Sequence, residues 1–243
     1  MRRDLPEVFQ ISPAEPLPAP AALISEALRP LLTEERLARI ETVLSRRTRS
    51  IAVVLDGLID PHNVSAVLRS ADAFGVQEVH VIEDAEPLVA SSRVAKGTER
   101  WLDLVRHKSA EACINVLRER GFRAYIAEAR GAPFDFAQGK LGLTDLRSAG
   151  PVAIIFGNEH AGVRSDLRRL ADGTFAIPMR GFVESLNVSV AAAITLHALT
   201  EGKPGDLSEP DKAELRARFM MLSVPRSQEV VEELVRGRLS RSE

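Results

Sequence analysis

The sequence predicts an α/β protein built on one open parallel sheet with helices on both faces. Two short apolar runs, Ile51–Asp56 and Pro151–Phe156, have the composition of strands buried on both sides. Amphipathic stretches alternate with such runs and close on glycines, as at Gly75 and Gly121. No internal repeat interrupts the alternation, and strand–helix alternation is the pattern of a parallel sheet.

Residues 1–30 read as an arm, because Pro6, Pro13, Pro16, Pro18 and Pro20 break regular elements and the alanines between them offer little to bury. Thr33 is a suitable N-cap for a helix to Arg47, with Glu34 and Glu35 in its first turn and Leu37, Ile40, Val43 and Leu44 on one face. This segment, 31–50, is a basic N-terminal helix. The sheet domain spans 51–200. Its first strand, Ile51–Asp56, leads through the turn Asp60-Pro61-His62-Asn63 into a helix over Val64–Phe74, and Glu78–Ile82 is the second strand. A polar loop follows over 84–100, then a strand over Trp101–Val105, a helix over Ser109–Arg120 and a strand over Phe122–Ala127. Pro151–Phe156 runs directly into Gly157, with a helix near Arg164–Leu170 and a strand over Thr174–Ile177 beyond it. Asn187–Leu199 is an Ala/Val-rich helix apolar enough to demand burial, and two polar helices over 210–222 and 226–238 form a C-terminal extension, 201–243.

Composition narrows the function. The chain has 243 residues, 45% apolar and 27% charged, which is globular rather than collagen-like or disordered. A single cysteine, Cys113, allows no intrachain disulfide. No apolar run has membrane-spanning length and the N-terminus lacks a signal-peptide core, so a cytoplasmic protein without membrane partners is expected. The net charge of -2 argues against a uniformly basic surface, yet 27 of the 32 basic residues are arginine, the side chain best suited to gripping phosphate.

Ligands of such sheets bind at the carboxyl ends of strands, and three loops there are unusual. In the first, Asn63 stands at a helix start as a possible N-cap, and Arg69 interrupts an apolar helix, which favours a buried or interfacial arginine. In the second, Gly157-Asn158-Glu159-His160-Ala161-Gly162 has paired glycines, but Val163-Arg164 follows where a nucleotide triphosphatase needs Lys-Ser/Thr, and no dinucleotide fingerprint is present. Glu159 is a candidate polar anchor. His160 is not a metal ligand on this pattern, because His62, His80, His107 and His197 show no ligand spacing; no metal is expected. In the third, Ser185, Asn187 and Ser189 cluster where the apolar helix begins; Ser185 is read as its cap, which leaves Asn187 without a local explanation.

Together and in this order, the segments resemble the three motifs of the SpoU branch of the SPOUT RNA methyltransferases. The first runs from Asp60-Pro61-His62-Asn63 through Arg69-Ser70-Ala71-Asp72-Ala73, the second is Ile155-Phe156-Gly157-Asn158-Glu159 with Gly162, and the third runs from Ile177-Pro178-Met179 through Ser185-Leu186-Asn187-Val188-Ser189-Val190-Ala191. The resemblance covers about Glu35 to Leu199. It implies a deep trefoil knot in roughly 150–200, a homodimer whose active site is completed across the interface, and S-adenosylmethionine held at Ala127, Gly157, Ile177, Met179 and Leu186. It gives Arg69 the catalytic role, with Asn63, Glu159, Ser185 and Asn187 orienting Arg69 or the ribose or shaping the cofactor site. The implied reaction is methylation of a ribose 2′-hydroxyl, most closely that of guanosine 18 in the tRNA D-loop; the alternatives are ribosomal RNA, another tRNA position, or a non-catalytic RNA-binding relative. Candidate RNA contacts are Arg36, Arg39, Arg46, Arg47, His62, Arg93 and Lys96, with Arg216, Arg218, Arg236 and Arg238 in the C-terminal extension. The chain departs from the family pattern in its longer N-terminal arm and in Arg180.

Overall fold

The computed structural model describes residues 8–10, 16–83, 89–91, 97–128 and 141–239. The chain divides into two compact units, one of residues 1–14 and 49–203, the other of 15–48 and 204–243.

In the first unit, β1 (Val8–Gln10) pairs antiparallel with β4 (Val89–Ser91). The main sheet contains β2 (Thr48–Asp56), β3 (Val76–Ile82), β5 (Asp103–His107), β6 (Arg123–Glu128), β7 (Val152–Gly157) and β8 (Gly173–Ala176). The strands are parallel and lie in the order β5-β3-β2-β7-β6-β8. Alternation within the strands divides the core. Ile51, Val53, Leu55, Val152, Ile154 and Phe156 face one layer, whereas Ala52, Val54, Ala153 and Ile155 face the other. Both layers are apolar, so Ile51–Leu55 of β2 and Val152–Phe156 of β7 are apolar throughout. Their register pairs Asp56 with Gly157, which sets the loops that leave the two central strands side by side. Because β3 and β7 flank β2 on opposite sides, this is the sheet's switch point, where a cleft opens.

The helices are α3 (Pro61–Ala73), α4 (Ala110–Glu119), α5 (Leu143–Arg147), α6 (Ser165–Leu170) and α7 (Val188–Thr200). Helix α3 begins three residues earlier than its apolar pattern predicts. Asp60 caps it by accepting from the His62 amide at 2.8 Å, and Pro61 occupies the first turn, where its missing N–H costs nothing. Asn63 is therefore inside the helix and is not its cap. Helix α7 is capped by Asn187, whose Oδ1 accepts from the Ser189 amide at 2.8 Å, so the capping role assigned to Ser185 belongs to Asn187. Helix α7 packs on α3 through Ala192, Leu196 and Leu199, but it is not buried all round: Val190 and Ile194 remain exposed. Trp101, expected to start a strand, ends a 3₁₀ turn over Thr98–Trp101, and the strand begins at Asp103.

The second unit contains α1 (Ala21–Leu28), α2 (Glu34–Leu44), α8 (Glu209–Ser223) and α9 (Ser227–Leu239). Helix α1 lies within the stretch read as a proline-broken arm. Its N-cap is Pro20, the last proline before Pro30, and Ile24 and Leu28, one turn apart, are completely buried. Helix α2 carries the expected Thr33 cap, with the hydroxyl accepting from the Arg36 amide. Arg216 forks onto both carboxylate oxygens of Glu41, and Arg36 donates to the Ser223 hydroxyl at 3.0 Å. Arg47 is buried, with its guanidinium 5.8 Å from the Phe219 ring centroid. At the same place Asp206 accepts from the Thr48 hydroxyl and donates its amide to the Arg47 carbonyl, drawing two backbone segments together. Gly205 fits between them because it has no side chain; a Cβ there would lie 2.5 Å from the Ser45 carbonyl oxygen and 2.8 Å from that of Arg47. Backbone atoms cannot rotate aside, so Gly205→Ala should cost about 1–3 kcal/mol and lower the melting temperature by several degrees. A calorimetric scan showing an unchanged midpoint would refute this packing.

Candidate active site

Three loops converge at the carboxyl edge of the sheet around a cavity of about 1050 Å³. The loop after β7 is the most constrained. Asn158 and Gly162 exchange both backbone hydrogen bonds at 3.0 Å, folding residues 158–162 into a closed turn. The Asn158 side chain holds this turn from within: Oδ1 accepts from the amides of His160 and Ala161 at 2.8 and 2.9 Å, and Nδ2 donates to the Gly57 carbonyl at 2.7 Å. Asp56 fixes the far end, its buried carboxylate accepting from the Arg164 amide at 2.9 Å and from the Arg164 guanidinium. Gly157 stands where the turn folds back, and a Cβ there would lie 2.6 Å from the backbone of Gly162 and Val163. The glycine is required by the protein's own chain, and it lines the cavity.

One hydrogen-bonded series joins the three loops. Asn63 Nδ2 donates to Glu159 Oε1 at 3.0 Å, and Asn187 Nδ2 donates to Asn63 Oδ1 at 3.0 Å. Asn187 Oδ1 in turn accepts from the Ser189 hydroxyl at 2.6 Å and from the Ser189 amide. The second Glu159 oxygen accepts from the Ile59 amide at 3.4 Å. An asparagine amide offers one donor and one acceptor end, and the series uses both ends of Asn63 and of Asn187. Asn187, which local sequence left unexplained, is thus both helix cap and bridge.

The structure brings together most of the predicted site. Ala127, Gly157, Ile177, Met179 and Leu186 all line the cavity, as do Asn63, Glu159, Ser185 and Asn187. Arg69 does not. It lies on α3, six residues beyond Asn63, with an exposed side chain and no hydrogen bond or ion pair among the described residues. The buried environment expected from its apolar neighbours is absent within the chain, because Val64, Val67, Leu68 and Ala71 take the inner face of α3 and Arg69 the outer one. His62 is likewise exposed and outside the cavity. Of the candidate RNA contacts in the second unit, Arg39 and Arg46 are exposed and Arg36 is half-buried. Arg47, only 1% exposed, has no free face for a phosphate and is better described as a packing residue. Arg93 and Lys96 lie outside the described residues.

Sequence reasoning did not single out Asn158, although it lies inside the second motif; an asparagine directly after a strand and a glycine is a turn-forming signal. It also missed Glu128 and Arg168, which pair with each other at the cavity edge and whose only signal is the position of Glu128 next to Ala127.

The cavity suits an adenosyl ligand in its own terms. Its walls are mainly apolar at Ala127, Ile177, Met179 and Leu186, and a glycine brings backbone close to the interior. Comparisons with known proteins agree. The SpoU rRNA Methylase family matches residues 50–197. A tRNA (guanosine(18)-2′-O)-methyltransferase of Thermus thermophilus is 39% identical over 164 residues, 68% of this chain and 81% of its own. Its counterpart in Borreliella burgdorferi is 30% identical over 213 residues, 86% of this chain and 94% of its own. The crystal structure of an A. aeolicus TrmH/SpoU tRNA modifying enzyme superposes with a TM-score of 0.66 at 25% identity, covering 79% of this chain and 98% of that one. With its three motifs joined around one cavity and the family matched over the whole sheet domain, the chain belongs to the SpoU methylase family.

Proposed function

We propose that the protein transfers the methyl group of S-adenosylmethionine to the ribose 2′-hydroxyl of guanosine 18 in the D-loop of tRNA. The observation that carries this reading is the hydrogen-bonded series Glu159–Asn63–Asn187–Ser189, which unites all three family motifs at the mouth of the cavity. The guanosine-18 assignment is supported by the tRNA relatives above, the second of which aligns with 86% of the chain. Ribosomal RNA is the second reading, favoured by a 38% match to a 23S rRNA (guanosine-2′-O-)-methyltransferase of Vibrio parahaemolyticus over 65% of the chain.

When bound, the cofactor supplies an electrophilic methyl group. Ala127, Gly157, Ile177, Met179 and Leu186 would enclose it by apolar contact and close backbone approach. A ribose hydroxyl is a weak nucleophile, so the protein must place it in line and provide for its proton. A guanidinium is a poor proton acceptor, so the part assigned to Arg69 is not that of the base. Its exposed guanidinium instead grips an RNA phosphate and holds that phosphate against the 2′-hydroxyl as proton acceptor. Ser185 and the Asn63–Glu159 pair orient the ribose.

Arg69 stands outside the cavity of its own chain, which fits a homodimer that completes the site. Phe182, Val183, Val190 and Ile194 leave apolar surface exposed on the loop before α7 and on α7 itself, a surface for a second copy. The segment over roughly 150–200 is read as the trefoil knot; the sheet order β7-β6-β8 supports this, since the chain must cross β6 between β7 and β8. No helix among the described residues is long and apolar enough to cross a membrane, and a tRNA substrate supports the reading of a cytoplasmic enzyme.

Arg69→Ala should bind S-adenosylmethionine as the wild type does, while methyl transfer to unmodified tRNA falls about 10²- to 10⁴-fold. Calorimetry and a labelled-methyl assay measure the two separately, and near-wild-type turnover would remove Arg69 from the mechanism. A tRNA carrying 2′-deoxyguanosine at position 18 should accept no methyl group; undiminished labelling would move the target elsewhere. Because phosphate contacts release counterions, tRNA affinity should fall steeply between low and moderate salt while cofactor affinity stays level, as paired titrations would reveal.

A further inference from the structure

On the sheet face under α4, away from the cavity, three metal-ligating side chains meet in the core. His80 on β3 is completely buried, His107 at the end of β5 is 7% exposed, and Cys113 on α4 is completely buried. The parallel register pairs His80 with Val105 and Ile82 with His107, so the two histidines are diagonal neighbours on one face of the sheet. His80 Nδ1 and His107 Nε2 face each other at 2.8 Å, and one ring nitrogen of each histidine and the Cys113 sulfur all lie within 4.8 Å of one another. Spacing along the chain conceals the set, because its members are 27 and 6 residues apart and come from three elements.

We infer that His80, His107 and Cys113 form a site for a thiolate- and imidazole-preferring transition ion, Zn²⁺ foremost. Two imidazoles and one thiolate are a borderline-soft donor set of the kind that selects zinc over magnesium or calcium. The surroundings provide what such a set requires. Both histidines and the cysteine are buried, so the set is shielded from competing water. Glu78, two residues before His80 on the same face, places a carboxylate oxygen 3.7 Å from His80 Nε2, a nitrogen that is buried without a hydrogen-bond partner among the described residues. A ligating histidine ordinarily turns its second nitrogen toward a carboxylate in this manner. Glu78 is itself held by Arg49 and Arg120.

Ion-free, the two facing nitrogens share one proton. When the ion binds, both present lone pairs, so that proton moves to the outer nitrogen of its ring, which for His80 faces Glu78. The Cys113 thiol releases its proton to solvent, a step that a cation at bonding distance drives. Two nitrogens around a tetrahedral zinc stand about 3.3 Å apart, so binding parts the histidines by roughly half an ångström. None of the three side chains lines the cavity described above, so the ion would clamp β3, β5 and α4 rather than act on RNA.

The test uses the full chain, stripped with a chelator and titrated with Zn²⁺ by calorimetry and with Co²⁺ as a spectroscopic probe. One equivalent per chain is expected, with a thiolate-to-cobalt band in the near ultraviolet. Cys113→Ser should abolish that band and His107→Gln should weaken binding at least tenfold, while methyl transfer at the separate site serves only as a control for folding. Should either variant fail to fold, the wild-type cobalt spectrum decides alone. No stoichiometric ion at micromolar Zn²⁺, no thiolate band in the wild type, or a band unchanged in a folded Cys113→Ser protein would each overturn the site.

Discussion

The side chain of Asn63 is the joint on which the site depends. Its amide donates to Glu159 after β7 and accepts from Asn187 at the head of α7, so three segments remote in sequence meet through a single planar group. An ionised carboxylate offers only acceptors and an alkyl side chain offers neither, so neither reproduces the pair of bonds that a carboxamide makes with its donor and acceptor ends. One bond is charge-assisted, since Glu159 is an acceptor on both oxygens when ionised. Such series gain more than isolated pairs when satisfied throughout and lose more when cut.

Everything beneath this joint serves to bring its members within reach. The pairing of Asp56 with Gly157 places the loops of β2 and β7 in register. Asp60 and Pro61 start α3 early enough to carry Asn63 inside its first turn, facing the second loop. Asp56 and Asn158 stiffen the glycine turn from either end, so Glu159 is presented by a fixed backbone. A net charge of -2 is compatible with the RNA binding proposed above. Asp56, Glu159 and Glu41 are structural partners of other groups, and the net of -2 includes them. Phosphate binding depends on which guanidinium groups remain free locally, and Arg39, Arg46 and Arg69 are exposed.

Much of this was legible in the sequence because it follows from local rules. The apolar runs of β2 and β7 mark strands buried on two faces, and the polar clusters after them mark the site. What escaped depended on partners supplied by tertiary structure. Helix α1 shows only Ile24 and Leu28 as a buried pair, too little for a periodic signal beside five prolines. Ser185 and Asn187 are equally good caps by residue type, and the choice fell to the residue that also reaches Asn63. Arg69, read as buried or interfacial, is exposed within its own chain, and Arg47, read as an RNA contact, is buried against Phe219. His80 and His107 are unrelated by spacing and become neighbours only through the β3–β5 register.

The most direct test of the joint is a double-mutant cycle on methyl transfer with Asn63→Ala, Asn187→Ala and the combined variant, each checked for cofactor affinity and folding. If the two amides act as one unit, the double variant will be little worse than the poorer single variant, with a coupling of about 1–3 kcal/mol in kcat/KM. Losses that add within about 0.5 kcal/mol would mean that the residues contribute independently, and the joint would not be what assembles the site.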